Sequence, residues 1–322
     1  MLAVLRYRQI PYRFLTTGAE GVAGMQRPKV QLLPTFYFPG PSGDLEAVTD
    51  STPIIRRLEA EHEGRSVIPS DPALAFLDEL IEDYADEWLT KAMFHYRWTY
   101  PDDIEKASII LPAWRHYSTP DETLKPLAKA IGARQIGRLP VVGSNPVTAP
   151  VIEESYRRFL EVFEAHLTHQ RFILGARPAS CDFSVYGQLT QLAHFDPTPA
   201  ALTLKVAPRV YAWVDVMEDL SGLEPIEGDW ITLQAAPPTL VALLREIGRV
   251  YPPVMLANAK ALMAGSDEVE TEVDGRRWIQ PAFPYQAKCL RWLRNSYEAL
   301  SGQDLDRVET VLRATGCLTL FN

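Results

Sequence analysis

The alternation of apolar and polar positions divides the chain into a short mixed region and a long helical one. Leu2, Leu5 and Arg6 recur at helical spacing over Met1–Gln9, and Pro11 predicts the end of that helix because proline disfavours helical geometry in the residue before it. A strand is predicted at Tyr12–Thr16 and a loop at Gly18–Gly24. Lys29–Leu58 then carries the apolar run Leu32-Leu33-Pro34, a β-prone run Thr35-Phe36-Tyr37-Phe38, a Pro/Gly turn, and Asp50-Ser51-Thr52-Pro53 ahead of an amphipathic segment. That order reads as strand, turn, strand, helix.

Beyond it the pattern is helical. Ser70-Asp71-Pro72 is a helix start with Asp as cap and Pro in the first turn. Leu74, Leu77, Leu80, Ile81, Tyr84, Trp88, Leu89 and Ala92 then keep a period of about 3.6 residues to Trp98. The acids Glu82, Asp83, Asp86 and Glu87 are expected on a solvated face. Prolines at 101, 112, 120, 126, 140, 146 and 150 predict a short helix or two and a long connection between Tyr100 and Pro150. Amphipathic spacing returns at Val151–His169, and further helices are predicted at Pro208–Leu220, Thr239–Ala264, Tyr285–Leu300 and Asp304–Thr315. Between the last pairs, Asp274-Gly275 inside Glu268–Gln280 signals a two-residue β-hairpin.

Composition narrows the class. With 322 residues, 47% hydrophobic and 23% charged, the chain can bury a substantial core. A net charge of −9 with no basic stripe argues against a nucleic-acid surface. Cys181, Cys289 and Cys317 are odd in number, widely spaced and form no CxxC, which suits a reducing compartment and predicts the cytoplasm. Apolar runs fall short of the ~18 to 20 residues a membrane span needs, and the start MLAVLRYRQ is charged too soon for a signal peptide.

The chemistry collects in Lys29–Leu58. A proline at the mouth of a strand, here Pro34, exposes unpaired backbone amides beside it. Asp50 with Ser51 sets a carboxylate, a hydroxyl and helix-start N–H groups together, a combination suited to a zwitterionic ligand. The aromatics of DEWLTKAMFHYRWTY have two readings. They pack in the core, or Tyr84, Trp88, His95 and Tyr96 line an apolar pocket for a second substrate. His166 and His169 are three apart, but no acid or cysteine pattern completes a metal site, and none is expected.

LRYRQIPYRF, KVQLLP and TDSTPII, in that order, resemble the amino-terminal thioredoxin-like domain of glutathione S-transferases. RFILGARPASCDFSVYG resembles the FLxGxxPSxADF segment of the same family. The resemblance implies a cis Pro34, pairing of the Leu33 backbone with the cysteinyl part of glutathione, and Asp50 and Ser51 on its γ-glutamyl end. It places Lys29 near the glycyl carboxylate. It gives Asp182 a folding role at the start of a buried helix, where Ala179 replaces the usual Ser or Thr cap and Ser180 is the residue that could compensate. Cys181, where the family often has alanine, reads as a small buried residue.

The fold class so implied is α+β/α: an incomplete thioredoxin-like N-terminal domain at 1–68, a larger all-α glutathione transferase C-terminal domain at 71–234, and a mainly helical extension at 235–322 with the hairpin at about 268–280. The long extension resembles a bacterial branch of glutathione transferase-like proteins. The family's first strand and the loop bearing its Ser, Cys or Tyr have no counterpart ahead of Met1, so the chain is expected to be a fragment or truncated reading, with its catalytic residue unassigned. Tyr7 is a substitute by position, but it stands at the end of its helix, next to Arg8-Gln9-Ile10-Pro11. The implied activity is conjugation of the glutathione thiolate to a small-molecule electrophile, with glutathione as co-substrate, no metal, no membrane or nucleic-acid partner, and a homodimer as the assembly. The alternatives are a non-catalytic binding or interaction protein on this fold and a purely structural helical protein, the last conflicting with the Pro34 to Ser51 pattern.

Overall fold

A computed structural model of the chain describes residues 1–15, 24–30, 32–40, 43–226 and 228–322. Helix α1 (Leu2–Tyr7) ends as expected: Gln9 takes a left-handed backbone with φ 55, and the Ile10 N–H closes on the Leu5 carbonyl at 2.9 Å ahead of Pro11. The expected strand at Tyr12–Thr16 is not seen. Residues 12–15 pair with no strand, while Thr16 and most of the expected loop lie outside the described residues. Strands β1 (Thr35–Pro39) and β2 (Leu45–Thr49) form an antiparallel pair, followed directly by helix α2 (Ser51–Glu61). Leu5, Ile10, Phe38, Ile54 and Leu58 make a small core where α1, α2 and the pair meet.

The helical body begins with α3 (Pro72–Tyr84). Asp71 caps it, its Oδ1 accepting the Ala73 and Leu74 N–H groups at 2.9 and 3.2 Å. A π-helical turn, Ala85–Leu89, joins it without a break to α4 (Thr90–Thr99). The predicted helix to Trp98 is therefore present, with one wide turn inside it. Residues 100–150 differ from expectation. They hold two long helices, α5 (Pro101–His116) and α6 (Asp121–Ile136), packed on each other despite Pro112 and Pro126 in their interiors. Each proline costs a helix one hydrogen bond, and the helix-to-helix packing outweighs that loss. Helices α7 (Ala149–His166), α8 (Ser180–Leu189, continuing as a second π turn, Thr190–Phe195), α9 (Pro197–Val206) and α10 (Pro208–Met217) complete the body.

The remaining chain is not an appendage. Helix α11 (Pro238–Met263) packs on α7, and β3 (Glu268–Val273) with β4 (Arg276–Pro281) forms the predicted hairpin, Asp274 and Gly275 supplying positive φ angles of 53 and 73. Helices α12 (Pro284–Glu298) and α13 (Gly302–Thr315) follow. One apolar core runs through the body and this extension, including Leu77, Trp88, Phe159, Leu244, Trp278, Leu290 and Val308. Val4, Tyr7 and Ile55 also reach it. No helix among the described residues is long and apolar enough to cross a membrane.

Candidate functional site

Hairpin register assembles the site. Thr35 pairs with Thr49, so Leu33-Pro34 and Asp50-Ser51 leave the same end of the β1–β2 ladder. The Leu33–Pro34 peptide is cis, the isomer the resemblance implies, and the Leu33 side chain is 73% exposed. Asp50 has φ 83 and ψ 127, a backbone that costs a residue with a side chain about 1 to 3 kcal/mol. Its carboxylate does not cap α2. Instead Oδ2 accepts the Tyr285 hydroxyl at 2.6 Å, from α12. Ser51 is the first residue of α2 and is half-buried beside it. Lys29 is exposed and makes no hydrogen bond or ion pair among the described residues.

The acids expected on a solvated face are instead enclosed between α2, α8 and the extension. Glu82 Oε1 accepts the Thr52 hydroxyl at 2.6 Å, and Asp86 Oδ1 accepts the Ser184 hydroxyl at 2.7 Å. Asp78 Oδ1 takes the Cys181 N–H at 2.8 Å, while Ser180 Oγ lies 2.7 Å from Asp78 Oδ2 and 2.5 Å from Glu82 Oε2. The Tyr251 hydroxyl donates to Asp83. Burial, then the Glu82 charge, raises both Asp78 and Asp86 to about 7. Burial also raises Asp83 and Glu87, and the charge of Asp50 adds to the rise at Asp86 and Glu87, which places these groups in its field.

Tyr84, Trp88, His95 and Tyr96 occupy the core, as in the first of their two readings. Tyr84 packs against Phe159 and Tyr251 at 6.4 and 6.1 Å, and Trp88 against Trp278 at 5.2 Å with its Nε1–H on Ser155 Oγ at 3.1 Å. His95 is held at both nitrogens, by Ser144 Oγ at 2.8 Å and Glu153 Oε1 at 3.0 Å. Tyr96 stacks on Tyr100 at 5.6 Å and meets Tyr156 edge-on. Most of these partners lie on α7, α11 and β4. A groove of about 410 Å³ lies between α11 and α12, lined by Leu262, Met263, Leu290 and Arg291, and holds none of the expected site residues.

Asp182 has the fastening role expected of it. Its oxygens accept the Ile173 and Ala179 N–H groups at 2.8 and 2.9 Å, and burial raises it to about 7 against the pull of those bonds. Ser180 does not replace the missing cap, since its hydroxyl is committed to Asp78 and Glu82. Cys181 is fully buried. His166 is satisfied by Thr239 Oγ1 at 3.0 Å and the Phe172 carbonyl at 3.2 Å, and no group of three or more His, Cys, Asp or Glu among the described residues is arranged to hold a metal. Tyr7 is wholly buried in the core, 6.0 Å from Phe183.

Residues 130–215, from within α6 to near the end of α10, match the family model described as "Glutathione S-transferase, C-terminal domain". No curated protein matches the chain. The part of the helical body from α6 to α10 is therefore similar to a glutathione transferase C-terminal domain, and α3 to α5 and the hairpin end with Asp50 lie outside the matched segment.

Proposed function

We propose that the protein binds glutathione at the end of the β1–β2 hairpin and that the bound thiolate attacks the electrophilic carbon of a small molecule, forming a C–S bond as the leaving group on that carbon departs with its electron pair, so that the alkyl or aryl group passes to sulfur. The observation that carries this reading is the register that sets the Leu33-Pro34 backbone beside Asp50 and Ser51. An extended cysteinyl backbone would pair with Leu33 at the mouth of β1, and the γ-glutamyl ammonium would meet the Asp50 carboxylate. Its α-carboxylate would lie on Ser51 and the first N–H groups of α2. Lys29, exposed and unpaired among the described residues, would swing to the glycyl carboxylate. Amide dipoles at the bound thiol favour thiolate over thiol, which is what attack on an electrophile requires.

In this reading the N-terminal unit is a thioredoxin-like domain, the chain represents the bacterial branch with a long extension, and it works in the cytoplasm as a homodimer. The exposed apolar side chains of Phe14, Val30 and Leu32 offer area for such an interface. A second reading, a glutathione-transferase-fold binder without turnover, is favoured by one observation. Tyr7, the substitute by position for the family's hydroxyl, is buried, and burial raises its pKa rather than preparing it for ionisation.

Retention on immobilised glutathione together with conjugation of a generic aryl halide separates the readings. Retention with turnover supports the transferase, and retention alone supports the binder. Asp50→Ala is expected to abolish retention, and normal retention by that variant contradicts the site.

A further inference from the structure

We infer that Tyr285, in the C-terminal extension, is a positioning residue for the ammonium group of the ligand, acting through Asp50. The inference rests on the ligand site proposed above and assigns one wall of it to a segment that the family match does not reach.

Three observations lead there. Asp50 carries its carboxylate on a left-handed backbone with φ 83 and does not use it to cap α2, so nothing local orients the group. Its Oδ2 is held by the Tyr285 hydroxyl at 2.6 Å, while Oδ1 has no hydrogen-bond partner among the described residues. One oxygen is thus fixed and the other left open, the arrangement of a carboxylate aimed at a second donor. Burial and the bond to Asp50 both raise the Tyr285 pKa, so the hydroxyl stays a donor.

Tyr285 itself is fixed from both sides. Asn258 on α11 clamps the neighbouring Phe283, accepting its N–H at 2.8 Å and donating to its carbonyl at 2.9 Å. The Tyr285 ring stands perpendicular to Trp292 at 6.4 Å. Further along α12, the Ser296 hydroxyl donates to Glu79 of α3 at 2.9 Å, and Arg307 of α13 forks onto Asp71 at 2.7 and 2.9 Å. The extension is therefore anchored to α3 and its N-cap, and an ordered donor on it reaches the Asp50 carboxylate.

Calorimetric titration of the full chain with glutathione tests this, using wild type, Tyr285→Phe, Asp50→Ala and the double variant, with thermal unfolding as a check on folding. Tyr285→Phe is expected to weaken binding about tenfold, the effect of a lost charge-assisted hydrogen bond. It should have no further effect on top of Asp50→Ala. Tyr285→His, which keeps a ring and a donor N–H, should recover affinity and provides the comparison if Tyr285→Phe does not fold. Unchanged or tighter binding by Tyr285→Phe overturns the inference, tighter binding showing that Tyr285 competes with the ligand. Loss of binding in Asp50→Ala with full affinity in Tyr285→Phe overturns this inference alone. Full affinity in Asp50→Ala overturns the site on which it rests.

Discussion

Asp50 concentrates the account at the scale of one residue. Its φ of 83 is open to glycine at no steric cost, whereas any side chain there is strained. Asp50→Gly and Asp50→Ala both remove the carboxylate, but only the first removes the strain. Asp50→Gly is therefore expected to be more stable than Asp50→Ala by about 1 kcal/mol, measured by urea unfolding, with glutathione retention lost in both. Equal stabilities would show that the backbone at 50 is relaxed. The helix start beside this residue was legible in the sequence because Asp50-Ser51-Thr52-Pro53 announces it. Tyr285 was not legible. Its bond to Asp50 spans a sequence separation of 235, and nothing around Tyr285 distinguishes it from an ordinary helical tyrosine.

Among the elements, the run from α3 through the π turn to α4 departs most from its sequence pattern. The period of Leu74 to Ala92 marked one buried face correctly, and Leu77, Leu80 and Trp88 are all buried. It could not show that α8, α2 and α12 cover the other face as well, so acids that pattern alone assigns to water are enclosed. The consequence is a pH dependence. Asp78, raised to about 7 by burial and by Glu82, has a folded pKa above its unfolded value. Its contribution to stability is fully present below the unfolded carboxylate range and is lost as pH rises through about 7. Between about pH 4 and 7 wild-type unfolding free energy should fall by on the order of 1 kcal/mol per pH unit from this group and level off above that, and Asp78→Asn should remove that part of the slope. A variant with the wild-type slope would place the titration elsewhere. A second element-level expectation concerns α11, where a Cβ on Gly248 would come 2.0 Å from the Thr315 carbonyl at the end of α13. Gly248→Ala should cost about 1 to 3 kcal/mol in chemical denaturation, despite the better helix propensity of alanine. A neutral effect would mean that the two backbones part without loss.

The whole molecule joins a helical body, of which residues 130–215 match a glutathione transferase C-terminal domain, to an extension that shares its core. The helices predicted at 151–169, 208–220, 239–264, 285–300 and 304–315, the Asp274-Gly275 hairpin and the fastening by Asp182 were legible, since each rests on local periodicity, turn chemistry or a short motif, whereas α9 and the length of α5 and α6 were not. The continuity of the core was not, because Trp278 meets Trp88 only once α11 has turned the chain back. Trp278 is fully buried, so Trp278→Ala is expected to cost about 3 to 5 kcal/mol and to lower the unfolding of the body and extension together in calorimetry. Two separated transitions would contradict a shared core. The central claim, a glutathione site at the end of the β1–β2 hairpin, is tested most directly by hydrogen–deuterium exchange of the full chain with and without glutathione. Slower exchange is predicted in the segments around Leu33-Pro34 and around Asp50-Ser51. Exchange unchanged in both segments at a saturating concentration of glutathione would contradict it.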